Sequence, residues 1–199
     1  KAAALSIYAG CRSFSASLPP SDIATASFTI TPSARVAANL VSLYRFDEGS
    51  GTTAHDVAGG PTPLNLQLNA PTGATWESGA ISLSDGTALR SSGPASSIIS
   101  AVKQTNELTM EAWVTPSTVP TTPGQIINLA LAQNDRNIQL SQGFWNTTST
   151  TEWDVRLRTT TSNNNNTTSG TSTVQERLTH VVYTRAANGA VRLYVDGVE

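Results

Sequence analysis

Along most of the chain apolar and polar residues alternate with a period of two, in short runs closed by Gly, Pro, Asn or Asp, and a helical period is almost absent. Alternation of this kind predicts β-strands with one face toward a core and the other toward water. In ASFTITP, Ala26, Phe28 and Ile30 share a face and Pro32 ends the run. NLVSLYRF sets Leu40, Ser42, Tyr44 and Phe46 against Val41, Leu43 and Arg45, so both faces are largely apolar, as in a central strand covered from two sides. AISLSDGTALR predicts two short strands around a hairpin turn at Asp85 and Gly86. In ELTMEAWVTP, Met110, Ala112 and Val114 point one way, Glu111 and Trp113 the other, and Pro116 closes the strand.

GQIINLALAQ, RNIQLSQGFW and EWDVRLRTT repeat the alternation. LTHVVYTR and AVRLYVDG, joined across Asn188 and Gly189, form the clearest hairpin. Only PASSIISAVKQTN holds a helical turn, and a short one. Residues 159–173, TTTSNNNNTTSGTST, have nothing to bury and read as a long exposed loop. Residues 1–37, punctuated by LPPSD and TPSAR, stand apart as a β-rich segment from a preceding domain or an accessory strand layer, and residues 38–199 form the main domain. Many short antiparallel strands without long helices predict an all-β, two-sheet sandwich.

Composition narrows the function. With 199 residues, 38% of them hydrophobic, the chain supports one good-sized core. Charged residues are 13% of the chain and the net charge is −2, too little field to hold a nucleic-acid backbone or an anionic membrane. No apolar run reaches the ~18 residues of a membrane span, so no membrane insertion is expected. The polar residues are mainly Ser, Thr and Asn, which points to an extracellular or cell-surface protein. Asn146, Asn165 and Asn166 stand in glycosylation triplets. The single cysteine, Cys11, makes no internal disulfide. KAAALSIYAGC has some features of a lipoprotein signal, but Ser6 and Tyr8 interrupt its apolar run.

Candidate chemistry is sparse. Glycan cleavage needs two carboxyl groups about 5 Å apart for retention or ~6.5–9.5 Å apart for inversion. Only EWD comes near, with Glu152 and Asp154 projecting from one strand face roughly 7 Å apart. Arg156 and Arg158 continue that stripe, and neighbouring cations keep carboxylates ionised, so the row reads as a solvated, mutually compensating face. A ligand-binding face is the alternative, with Trp145 as an exposed platform beside Glu152, Asp154, Arg156 and Arg158. Trp113 and Trp153, inside strands, are expected in the core. No Ser-His-Asp order, phosphate-cradling glycine loop or cysteine pair occurs, and no catalytic residue is assigned.

The order of four words is more specific. LVSLYRFDEGSGTTAHDVAG, GAISLSDGTAL after a Trp, ELTMEAWVTP and LTHVVYTRAANGAVRLYVDGVE together resemble the laminin-G-like group of the concanavalin A-like lectin/glucanase superfamily, over residues 40–199. The resemblance implies a jelly-roll sandwich and a carbohydrate-binding or adhesion module whose partner is a glycan or an extracellular protein. It also implies further strands after YVDG, so the domain reads as incomplete at its C-terminus and open to completion by continuing chain or by self-assembly with a neighbour. Relatives bind Ca²⁺ near the first loops, which makes Asp47, Glu48 and Asp56 metal candidates, although VAGGPTPLN departs from their acid-rich continuation. His55 is expected as an exposed turn residue and His180 as a packing residue. A non-catalytic recognition module is the leading expectation. A structural subunit of an extracellular fibre or surface layer and a glycan-cleaving enzyme are the alternatives.

Overall fold

In the computed structural model the described residues are 2–8, 38–116, 124–131, 135–143, 151–162 and 167–199, with backbone alone for 2–8 and 167–172. In chain order the first strands are β1 (Ala2–Tyr8), β2 (Leu40–Tyr44), β3 (Thr53–Ala54), β4 (Leu66–Leu68), β5 (Ala74–Glu77), β6 (Ala80–Leu83) and β7 (Leu89–Ser91). Helix α1 (Ser96–Thr105) follows, then β8 (Leu108–Val114), β9 (Gly124–Ala130), β10 (Arg136–Gln142) and β11 (Glu152–Leu157). Strands β12 (Thr167–Thr173), β13 (Thr179–Arg185) and β14 (Val191–Val195) complete the set.

A seven-stranded antiparallel sheet has the order β14-β13-β8-β1-β6-β5, with β2 also paired to β1. A four-stranded sheet, β12-β11-β10-β9, and a three-stranded one, β3-β4-β7, form the second layer. The expected all-β sandwich is therefore present, with its second layer split in two. Each half has its own core. Met110, Ala112, Val114, Val181, Tyr183 and Leu193 of the large sheet meet Ile127, Leu140, Trp153 and Val155 of the four-stranded sheet. Tyr44, Phe46, Ala54, Leu68 and Ile81 form a smaller cluster by the three-stranded sheet. Ser42, Leu43 and Tyr44 are all buried, so β2 is covered on both faces as its sequence predicts.

Within the N-terminal segment, β1 is a strand of the large sheet, registered Leu5 to Tyr44 of β2 and Leu5 to Ala112 of β8. The ASFTITP run and Cys11 lie outside the described residues.

Three local expectations are corrected. Strands β6 and β7 do not pair across Asp85 and Gly86. β6 joins β5 and β7 joins β4, in different sheets. The turn instead carries the chain between layers, held by Asn69, which donates from Nδ2 to the Gly86 carbonyl at 3.1 Å and accepts from the Ala88 N–H at 2.7 Å. Helix α1 runs ten residues rather than one turn. Ile98 is buried and Val102 packs on the large core, and Asn106 closes the helix in the left-handed region with its N–H on the Val102 carbonyl. Finally, Thr167–Thr173 is a strand, not loop, paired to β11. As the last strand of its sheet it is bonded on one side only, where a Thr/Ser run with no apolar face is tolerated. Residues 163–166 lie outside the described set. The β13–β14 hairpin forms as expected, with Gly189 at φ +88° and the Asn188 carboxamide accepting from the Ala190 N–H.

Candidate functional site

Period-two alternation gives each sheet an outer face away from the core. On the four-stranded sheet that face carries two cross-strand polar rows. Gln139 pairs in register with Asn128 on one side and Arg156 on the other, and Ser141 with Gln125 and Asp154. Asp154 and Arg156 are 0% and 3% exposed, and Gln139 and Ser141 are 1% exposed each. The expected solvated stripe is therefore corrected at its centre: Asp154 and Arg156 are sealed, and only Glu152 and Arg158 at the ends reach solvent. Within the row compensation is confined to one pair, Arg156 Nε lying 3.4 Å from Asp154 Oδ2. Arg158 instead pairs with Asp135 at 3.4 Å.

Burial pushes the Asp154 carboxyl up to about 6, the Arg156 charge and hydrogen bond pull it back, and Glu152 adds a smaller upward push. Arg136, whose Nη1 donates to Gln139 Oε1 at 3.1 Å, is lowered by burial and by the Arg156 charge. The Asp154 carboxylate is thus closed off from solvent and bonded to a guanidinium, while Glu152 is half-buried. Trp145 lies outside the described residues.

The outer face of the large sheet differs. Trp113 of β8 is registered opposite His180 of β13, and their rings stack with centroids 4.2 Å apart and planes 11° apart. His180 Nε2 lies 2.8 Å from Glu111 Oε1. All three side chains are half-buried. A backbone bond from the His180 N–H to Asp196 Oδ1 (2.9 Å) fixes the strand at this point, and Arg177 closes on Asp196 Oδ2 at 2.6 Å. These bonds, the backbone one foremost, hold the Asp196 carboxyl below the usual range. Trp153 is core as expected, at 0% exposure, but Trp113 is not: it stands on the solvent side with Glu111. The signal was available in the alternation of ELTMEAWVTP, which places Trp113 opposite the Met110, Ala112, Val114 face.

Of the metal candidates, Asp56 does not fit a cation ligand. Asp56 spends its carboxylate on four donors: Ser42 Oγ and the Leu64 N–H on Oδ2, and the N–H groups of Leu43 and Ala58 on Oδ1, all at 3.0–3.1 Å. Its own N–H goes to Asn65 Oδ1. Two oxygens holding four hydrogen bonds have no lone pair left for Ca²⁺. Glu48 Oε1 accepts from the His55 N–H at 2.7 Å, Asp47 is exposed, and His55 is exposed as expected of a turn residue. Among the described residues no group of three or more His, Cys, Asp or Glu side chains comes together. Asp56 is instead a clamp tying the 56–64 loop to β2.

A family model described as the concanavalin A-like lectin/glucanases superfamily, of laminin-G type, matches residues 85–199. No curated protein and no solved structure matches the chain in the corresponding comparisons. The matched span runs from the turn before β7 through α1, both outer faces and the final hairpin, and domains of this group are carbohydrate- or partner-binding modules in general. With more than half of its length matched and an antiparallel sandwich as its fold, the chain belongs to the laminin-G-like family of the concanavalin A-like superfamily.

Proposed function

We propose that the domain is a non-catalytic recognition module of a secreted or surface protein, and that it binds a glycan on the outer face of the large sheet around Trp113, His180 and Glu111. The observation that carries this reading is the half-exposed aromatic stack with a carboxylate against it. Sugar rings offer C–H faces to aromatic groups and hydroxyls to carboxylates and imidazoles, so this trio matches both needs. Glu111 and Trp113 alternate with buried Met110 and Ala112, which hold the strand rigidly beneath them. Against catalysis stands the enclosure of Asp154, the inner member of the EWD pair. The test is incubation with a panel of oligosaccharides, scored both for retention and for new reducing ends. Retention without cleavage supports the proposal, and cleavage that disappears in Glu152→Gln refutes it.

A further inference from the structure

We infer that a cavity at the α1 end of the sandwich is a second binding site, taking a small organic anion with a benzene-sized apolar body and one carboxylate-type head. The cavity measures about 160 Å³. Its walls come from α1, β8, β9, β10 and β11, among them Val102, Met110, Leu129, Ile138 and Leu157. Protein interiors seldom leave voids of this size, and an apolar cavity of about 150 Å³ stays dry and accepts benzene. Ile98 is buried in the core, while Val102 and Leu129 beside the cavity stay only partly buried.

The polar lining sets the sign of the ligand. Lys103, Asn137 and Arg158 line the cavity and are exposed, so they stand at its open side. No Asp or Glu is among the lining residues. Lys103 has no ion pair among the described residues. Arg158 pairs with Asp135 only at 3.4 Å, with the two side chains 49% and 59% exposed, a contact that an incoming carboxylate can replace. An apolar wall ending in two cations and a carboxamide complements an amphipathic anion, not a neutral sugar, so this site is separate from the Trp113 face.

Met110 is the chain's single methionine and lines the cavity, so a ¹³C-methyl-methionine label reports on it with one signal. Titration with 3-phenylpropanoate should move that signal saturably, and with about tenfold higher affinity than 3-phenylpropanol, which lacks the charge. Lys103→Gln combined with Arg158→Gln, both at exposed positions, should reduce the acid to the affinity of the alcohol. Leu129→Phe should fill the space and abolish both responses. A Met110 signal unmoved by either probe, or acid and alcohol binding alike in the unmodified protein, overturns the inference.

Discussion

On the outer face of β8 and β13, Glu111, Trp113 and His180 remain half-exposed, whereas on the outer face of β10 and β11, Gln139, Ser141, Asp154 and Arg156 are sealed at 3% exposure or less. Both faces are written in the same alternation and both set a carboxylate beside a cationic or imidazole partner. The consequences diverge because of solvent. In the sealed layer the Asp154–Arg156 bond stands in for water that both ions have lost, so neither can be removed cheaply. On the open face the Glu111–His180 bond competes with water, and the aromatic stack is what remains to offer a ligand. A polar stripe in a β sequence thus identifies a face and leaves its accessibility to the layers packed around it.

The sharpest way to break this comparison is to delete one acid from each face. Asp154→Ala removes the carboxylate from a sealed layer in which Arg156 is 3% exposed and should cost about 3 kcal/mol or more, while Glu111→Ala should cost under about 1 kcal/mol. Urea unfolding midpoints of the two variants would show it, and equal losses would mean that the two faces do not differ.

The next effect is in pH. The folded chain holds the Asp154 proton more tightly than the unfolded chain, since burial raises the carboxyl from 3.8 to about 6. Stability from this group is therefore complete below about pH 4 and is lost as pH rises through about 6, a change on the order of 3 kcal/mol. Asp196 acts in the opposite sense, because its lowered value gives stability that disappears on acidification. Asp154→Asn should flatten the stability profile between pH 4 and pH 6, read by thermal melts across that range. An unchanged slope would separate the burial of Asp154 from its titration.

Asp56→Asn disrupts a carboxylate holding four donors and should cost about 2 kcal/mol. The unmodified protein should melt at the same temperature in Ca²⁺ and in chelator, and a Ca²⁺-dependent rise would return the 47–56 loop to the metal reading. Smallest of all, Asp135→Asn removes an exposed 3.4 Å pair and should change stability by less than about 0.5 kcal/mol in the same urea assay.

How much of this was legible in the chain follows from what period-two patterning encodes. The alternation of Met110, Ala112 and Val114 against Glu111 and Trp113 fixed both faces of β8, although a tryptophan inside a strand had suggested the core for Trp113, and Asn188-Gly189 fixed the last hairpin. The pairing partners of β6 and β7 were not legible, since Asp85-Gly86 specifies a turn but not whether it closes a hairpin or carries the chain to another sheet. β12 escaped because an edge strand of Thr and Ser has no buried stripe to announce it. On the four-stranded sheet, Glu152, Asp154, Arg156 and Arg158 were placed on one face, but only Asp154 and Arg156 compensate each other and Arg158 turns to Asp135. Burial of the middle pair, which raises Asp154 where neighbouring cations were expected to keep it ionised, depends on packing beyond the strand. Asp56 looked like a cation ligand because its four hydrogen-bond donors, three of them backbone N–H groups, come from loop geometry that residue types do not reveal.

The most direct test of the proposed recognition surface is binding to an immobilised glycan panel by the unmodified domain, Trp113→Ala and Glu152→Gln in parallel, with folding checked by far-UV circular dichroism. Retention should be lost in folded Trp113→Ala and kept in Glu152→Gln. Retention that survives Trp113→Ala and vanishes in Glu152→Gln would place the ligand on the other sheet and contradict the account.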